Sequence, residues 1–439
     1  MMNLHFAWQP GPWRLLLSQV TPWRGDYRPM GSAFYATFFH LFGFDPLPYR
    51  IAILLLLGLN VWLAYRFARM LGCGETAATL AAAVVAYHGG LGSLHYNPDT
   101  IYDILCFSFY FGAFTFYAAV RRRGRLLAGP EMAAFLALFL CALNSKEIAV
   151  SLPVAVLVFE ALYHPPGRWN WKEARAWLFG PGRAALCAAA LTLVCIYGKK
   201  YGPDGLLHSP AYQPVFSLGR ILGFQKMWIP ELFFLNGIGT LGLLVLWVGL
   251  TWLAWRSRRP VLRFCWVFLL VAPLPIEFLE GRDQASLYVP FAGWAVFAAV
   301  VALDAAGWAA GLLSKAPGLR ALGPRVLLAA LLAAALIPWV RVNRRAQKLY
   351  VHPAMMIQGQ ITQPVLREFA ALRPRVPPHS QVVFLQDPFD GWDMVFIAEL
   401  SFGDRTVKVH LQRMENLPPS ELAKMRQFTW EGGKLLQLN

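Results

Sequence analysis

The stretch NSKEIAVSLP, residues 144–153, places the charged side chains of Lys146 and Glu147 next to each other within the almost wholly apolar residues 132–163. An ionised side chain in hydrocarbon costs about 2.5–3.5 kcal/mol on insertion scales, so the pair must face protein, water or a ligand. We therefore interpret the pair as a break between two short helices and as a candidate functional site. A solvated charged turn at a membrane surface explains this stretch equally well when it is considered alone.

The composition predicts an all-α polytopic membrane protein. Of its 439 residues, 57% are hydrophobic and 15% are charged, whereas about a quarter of the residues of a soluble domain are charged. The net charge of +16 comes from short arginine clusters between apolar runs, such as residues 121–125 and 256–263. Clusters in such places are typical of cytoplasmic loops. They indicate a lipid bilayer, and no nucleic acid, as the partner.

Apolar runs predict about ten transmembrane helices. These runs are residues 51–71, 76–90, 101–120, 132–145, 147–163, 184–201, 237–255, 261–279, 287–313 and 325–340. Two further apolar runs are expected not to cross. Residues 29–42 are too short and predict a juxtamembrane helix, and residues 216–235, broken by glycine and proline, predict a surface-lying or re-entrant segment.

The chain is expected to fall into three parts. Residues 1–45 form a non-cytoplasmic loop, with residues 1–28 at the interface, followed by the juxtamembrane helix. Residues 46–344 form the transmembrane domain. Residues 345–439 predict a small C-terminal α/β domain with a helix at 355–372 and strands at 381–386, 406–411 and 434–437. Counting crossings places nearly every basic loop in the cytoplasm and the C-terminal domain in the periplasm, with RVNRR (341–345) as the exception.

The same count places a set of polar residues on the non-cytoplasmic face, where they could form one site. They are His88, His95, Asp99, Asp103, Lys146, Glu147, Arg282 and Asp283. Asp99 and Asp103 are four residues apart and predict one helix face. Asp99 is in the first turn, where a capping role competes, so Asp103 is the stronger candidate. Arg282 suits a phosphate group, although pairing with Glu280 or Asp283 explains it equally well.

Three motifs together resemble those of GT-C membrane glycosyltransferases, in particular the protein O-mannosyltransferase-like branch. DYRPMGSAFYATFFHLFGFDPLPYRIAILLLLGLN (26–60) resembles their YRPL motif, juxtamembrane helix and following transmembrane helix. NSKEIAVSLP is similar to their lysine-glutamate motif. EGRDQASLYVP (280–290) is similar to their arginine and tyrosine-proline stretch, with several letters replaced. The resemblance covers about residues 20–340.

This resemblance implies a GT-C-like fold and transfer of a sugar from a polyprenyl-phosphate donor to a protein or glycan acceptor at the periplasmic face of a bacterial inner membrane. It makes Asp26 and Asp103 the candidate catalytic carboxylates, and Lys146 and Arg282 the candidate ligands of the donor phosphate. The supporting residues would be Glu147, which we expect to hold Lys146 in place, with His95, Asp99 and Tyr288. No cofactor is certain, although a divalent cation is an option; no metal site is predicted.

The sequence departs from the family ahead of its YRP motif. The family has a transmembrane helix and an acidic motif there, whereas Asp26 is the only acidic residue before Asp45. An upstream segment outside this sequence is the favoured explanation; the others are that Asp26 takes over the role or that catalysis is lost. The alternative functions are therefore a non-catalytic GT-C-like scaffold or a transporter. The absence of visible repeats disfavours the transporter.

Overall fold

The computed structural model describes residues 1–23, 28–202, 213–234, 237–316 and 322–439, with side chains except at 350–358. Asp26, one of the two predicted catalytic carboxylates, lies outside the described residues. So does most of the polar loop between the predicted helices 184–201 and 237–255.

The transmembrane part consists of helices, because a helix satisfies its own backbone hydrogen bonds in hydrocarbon. Each of the ten predicted runs contains a helix. These are α4 (Pro46–Met70), α5 (Glu75–Ala86), α7 (Ile101–Arg121), α8 (Gly129–Leu143), α9 (Leu152–Tyr163), α11 (Arg183–Tyr201), α13 (Thr240–Arg256), α14 (Pro260–Val271), α16 (Tyr288–Leu313) and α17 (Gly323–Ala346).

Six helical segments within the described ranges are long and apolar enough to cross a membrane. They are Pro46–Met70, Pro98–Arg121, Arg183–Tyr201, Pro260–Glu277, Gln284–Leu313 and Gly323–Leu349. The other predicted crossings are helices of 12 to 17 residues. The protein is therefore an all-α polytopic membrane protein with a mixture of long and short apolar helices.

The remaining helices are short or peripheral. They are α1 (Met2–Trp8), α2 (Pro12–Ser18), α3 (Pro29–Phe42), α6 (Ser93–Tyr96), α10 (Trp171–Phe179), α12 (Leu218–Leu232), α15 (Leu274–Glu277), α18 (His352–Leu372), α19 (Asp393–Phe402), α20 (Gln412–Glu415) and α21 (Pro419–Leu422). The predicted helix at residues 29–42 is present as α3, and its juxtamembrane position stays a prediction. The helix begins at a proline, which suits the first turn of a helix, and ends before Gly43 at φ +56°.

The N-terminal residues differ from the predicted interfacial loop, because they contain α1 and α2. Gly11, at φ +82°, turns the chain between the two helices, and Pro12 begins α2. Leu4 and Ala7 of α1 are buried. The segment was predicted as a loop because helices of seven residues leave little periodicity in a sequence and gain their stability from packing.

α7 forms the centre of the helical part, and most of its residues are buried on all sides. Tyr288 of α16 stacks on Phe107 of α7 with ring centroids 4.3 Å apart, and Phe67 of α4 lies 4.7 Å from Phe111. Such aromatic contacts add about 0.5–1.5 kcal/mol each beyond burial. This packing fixes the end of α7 that carries Asp103.

The small C-terminal α/β domain contains a four-stranded sheet in the order β2-β1-β3-β4. β1 (Gln381–Phe384) pairs in parallel with β2 (Lys408–Leu411) and β3 (Arg426–Glu431), and β4 (Lys434–Gln437) pairs antiparallel with β3. Strands were predicted at β1, β2 and β4. β3 and α19 were missed, although α19 supplies the fully buried Met394 and Ile397 to the domain core.

Candidate active site

The NSKE stretch forms a buried break between α8 and the 3-10 helix Glu147–Ser151. Lys146 Nζ lies 2.5 Å from Asp103 Oδ1 and 3.0 Å from Ser286 Oγ. Lys146 and Asp103 are each 5% exposed. Lys146 therefore forms a buried ion pair and does not lie in a solvated turn. The fold brings together the two predicted residues Asp103 and Lys146.

Glu147 binds two arginines instead of Lys146. Arg28 Nη2 donates to both carboxylate oxygens, at 2.9 and 2.7 Å, and Arg282 Nε lies 3.0 Å from Oε1. The prediction that Glu147 holds Lys146 is therefore wrong. The cause is the extended backbone of Lys146, φ −156° and ψ 150°, because successive side chains in extended backbone point to opposite sides.

Arg282 also has a different partner from the sequence neighbours, Glu280 and Asp283, that were considered for it. Its partner is Glu147, while Glu280 lies 3.7 Å from Arg220 and Asp283 accepts from the hydroxyl of Ser286 at 3.1 Å. The chain turns at Gly281, φ +65°, which directs Arg282 inward. Two guanidinium groups thus converge on one carboxylate.

Glu147 is surrounded by positive charge, with the guanidinium groups of Arg28 and Arg282 against its carboxylate. The carboxylate holds both groups in place, which suits a positioning role.

A cavity of about 200 Å³ lies beside the two ion pairs. It brings together four of the predicted site residues, Asp99, Asp103, Lys146 and Arg282. The full lining is Arg28, Asn97, Asp99, Thr100, Asp103, Lys146, Gly281, Arg282, Asp283 and Ser286. We call this space the charged cavity.

Asp99 and Asp103 have different surroundings within the charged cavity. Asp103 is buried against Lys146, whereas Asp99 is exposed and accepts a hydrogen bond of 3.0 Å from Asn3 Nδ2. The predicted capping role belongs to Asn97, whose Oδ1 accepts from the Asp99 backbone N–H. Asp99 and Asp283 are the exposed carboxylates among those described in the cavity. Asp283 accepts from the backbone N–H and the hydroxyl of Ser286, whereas the side chain bound to Asp99 is the neutral amide of Asn3.

His95 and Tyr288, two predicted supporting residues, do not line the charged cavity. His95 Nε2 lies 3.2 Å from the carbonyl oxygen of Ala86, and Tyr288 is in the aromatic core against Phe107. Both were assigned from sequence position, which does not distinguish a residue beside a cavity from one packed behind it.

Three residues of the site were not singled out from the sequence. Arg28 is part of the quoted YRP motif, so its letters were available although no role was assigned to them. Ser286 is part of the EGRDQASLYVP stretch. No sequence signal indicates Asn3, which reaches Asp99 only because α1 packs on α3.

A larger apolar cavity of about 470 Å³ shares Arg28 with the charged cavity and also has Glu147 in its wall. Its other lining residues are Leu143, Val150, Cys195, Ile196, Lys199, Lys200, Gln213, Pro214, Phe216, Leu274, Pro275, Phe278 and Leu279. Lys199 Nζ donates to the carbonyl oxygen of Leu143 at 2.9 Å. The apolar cavity thus borders the Arg28–Glu147 ion pair.

The described carboxylates of the charged cavity are bound by protein groups. Within the residues that the structure describes, no group of three or more His, Cys, Asp or Glu side chains is arranged to hold one. Of the cavity carboxylates, Asp103 is bound by Lys146 and Asp283 by Ser286. No step proposed below depends on a metal ion.

No protein-family model matches the chain, and no curated protein matches it. Among solved structures, the crystal structure of ArnT from Cupriavidus metallidurans bound to undecaprenyl phosphate is similar over 98% of this chain and 91% of that chain. The sequence identity is 13% and the TM-score is 0.49. At these values the likeness carries no inference about activity, which must rest on the residues of the site.

Proposed function

We propose that the protein is a membrane glycosyltransferase that moves a sugar from a polyprenyl-phosphate donor to an acceptor hydroxyl at the non-cytoplasmic face. One observation carries the proposal: the charged cavity and the apolar cavity share Arg28 in their walls, and Arg28 is bound to Glu147, which lines the apolar cavity. A polyprenyl-phosphate sugar has the same division, with an apolar chain, an anionic phosphate and a polar sugar.

In this proposal the isoprenoid chain lies in the apolar cavity and the phosphate lies at its charged end. Arg282 and Lys146 stabilise the negative charge that develops on the phosphate. Glu147 positions the Arg282 guanidinium, whose planar fork suits phosphate oxygens. The sugar then extends into the charged cavity, beside Asp99 and Asp103.

The reaction would be a displacement at the anomeric carbon. The acceptor oxygen forms a bond to this carbon, the bond from the carbon to the phosphate oxygen breaks, and polyprenyl phosphate leaves with the electron pair. The acceptor proton goes to a carboxylate. Asp26 remains a prediction for this role. Of the described candidates, Asp103 suits positioning of Lys146, and Asp99 suits the base because it is accessible.

Several finer assignments remain part of the proposal. We place the charged cavity and residues 345–439 in the periplasm, because the basic clusters favour cytoplasmic loops, and the membrane is then a bacterial inner membrane. The acceptor is a protein or a glycan. The division into residues 1–45, 46–344 and 345–439 belongs to the same proposal.

We expect Arg282→Ala to slow the release of polyprenyl phosphate about 100-fold, the loss seen when a donor to a developing negative charge is removed. Membranes that contain the full-length protein would be supplied with polyprenyl-phosphate donors carrying a hexose, a pentose or an amino sugar. Free polyprenyl phosphate is measured because every donor yields it.

Arg259→Ala is the matched control, because Arg259 forms an exposed ion pair of 2.8 Å with Asp304. Its release rate should equal that of the wild type. Equal rates for Arg282→Ala and wild type would contradict the phosphate-binding role. No release by the wild type from any donor would instead favour the non-catalytic scaffold.

A further inference from the structure

The N-terminal helix α1 contacts a residue of the charged cavity. The role that we infer for this contact extends the proposed function and rests on it. Asn3 of α1 donates a hydrogen bond of 3.0 Å from Nδ2 to Asp99 Oδ1. Asp99 makes no ion pair with any residue that the structure describes. One oxygen of this accessible carboxylate is therefore oriented by a neutral amide.

Hydrogen bonds hold the backbone around Asp99 as well as its side chain. Tyr35 of α3 donates from its hydroxyl to the carbonyl oxygen of Pro98 at 2.8 Å, and Asn97 Oδ1 accepts from the Asp99 N–H at 3.0 Å. Asn3 also bonds to the Tyr35 side chain, so α1 and α3 both contribute to holding this turn. The Asn3 amide acts on the orientation of the carboxylate.

The other end of α1 is bound to the C-terminal domain. His5 Nε2 lies 2.5 Å from Glu399 Oε2 of α19. Arg405 donates from Nε to the carbonyl oxygen of Trp8 at 3.1 Å, and its guanidinium lies 4.9 Å from the centre of the Trp8 ring. These contacts place the C-terminal domain on the same side as the charged cavity and anchor the helix that carries Asn3.

We propose that Asn3 is a positioning residue that orients Asp99 as the base for the acceptor hydroxyl, and that the C-terminal domain completes the site by anchoring α1. The domain then contributes to the reaction rate without touching the donor. Its contribution passes through two contacts joined by the short helix α1: Glu399 with His5, and Asn3 with Asp99.

The test measures kcat and the donor KM for polyprenyl phosphate release by the full-length protein. We expect Asn3→Ala to lower kcat about tenfold, because a hydrogen bond to a charged group is lost, and to leave the donor KM unchanged. Asn3→Gln, which retains the amide, should recover part of the rate. In an Asp99→Asn background, Asn3→Ala should cause no further loss.

Glu399→Ala should lower kcat in the same way, and its effect should not add to that of Asn3→Ala. Asn170→Ala is the matched control, because Asn170 also donates to a carboxylate, Glu173 Oε1 at 3.0 Å, on the exposed α10. This control should keep the wild-type kcat.

Two results would overturn the proposal in distinguishable ways. Wild-type kcat in Asn3→Ala and Glu399→Ala, together with lost activity in Arg282→Ala, would remove the role of α1 and leave the glycosyltransferase function standing. Independent, additive losses from Asn3→Ala and Asp99→Asn would likewise reject the positioning role. A wild-type protein that releases no polyprenyl phosphate would overturn the proposed function and the role of Asp99 with it.

Discussion

Lys146→Ala is expected to lower the free energy of unfolding by about 3–5 kcal/mol, because it leaves the Asp103 carboxylate buried without its cation. It should also abolish polyprenyl phosphate release. Lys146 is 5% exposed and lies 2.5 Å from Asp103 Oδ1, so the ammonium is the close partner of a buried charge. Denaturation of the purified protein in detergent measures the stability, and the membrane assay measures the release.

A double variant separates these two effects. Lys146→Met with Asp103→Leu removes both charges, and replacing a buried ion pair with apolar residues of similar volume is often neutral or stabilising. We expect the double variant to fold with near wild-type stability and still to release no polyprenyl phosphate. If Lys146→Ala lowers the free energy of unfolding by less than about 1 kcal/mol, the pair contributes no more than an exposed ion pair. That result would contradict the buried geometry.

Glu147→Ala is the second variant for which we expect a large decrease in the free energy of unfolding. It leaves the guanidinium groups of Arg28 and Arg282 near each other without their shared carboxylate, and removing one partner of a buried ion pair costs about 3–5 kcal/mol. Asp304→Ala is the matched control, because the Asp304–Arg259 pair is half exposed and should contribute less than about 1 kcal/mol. Equal decreases in the free energy of unfolding for Glu147→Ala and Asp304→Ala would contradict a stabilising role for the contacts of Glu147 with Arg28 and Arg282.

The membrane helices were predictable because each depends on local composition. An apolar run must become a helix in a bilayer, and α3 begins and ends at residues that mark helix ends, Pro29 and Gly43. α1 was not predictable in this way, because its seven residues are stabilised by tertiary packing. β3 was missed, although its Phe428 packs in the core of the C-terminal domain together with Leu435 of β4.

Some residues of the candidate site were named from the sequence, but their pairings were not. Five members of the predicted polar set line the charged cavity: Asp99, Asp103, Lys146, Arg282 and Asp283. The predicted pairing of Lys146 with Glu147 was wrong, because it was inferred from their adjacent positions in the sequence. The extended backbone of Lys146 separates these two side chains, and Glu147 instead meets an arginine 135 positions away (282 − 147).

The apolar cavity could not be predicted from the sequence at all. Its walls come from α8, α11, α15 and the segment before α12, which are distant in the chain and apolar for the ordinary reason that they lie in a membrane. Only the fold reveals that this space borders the Arg28–Glu147 ion pair. That junction gives the proposed function its physical basis.

The most direct test of this junction is equilibrium binding of radiolabelled polyprenyl phosphate to the purified full-length protein in lipid nanodiscs. Polyprenol, which has the same chain without the phosphate, is the comparison ligand. We predict that the wild type binds polyprenyl phosphate at least about tenfold more tightly than polyprenol, because charge-assisted hydrogen bonds hold the phosphate, and that Arg282→Ala loses this preference. Equal affinity of the wild type for the two lipids would contradict the account.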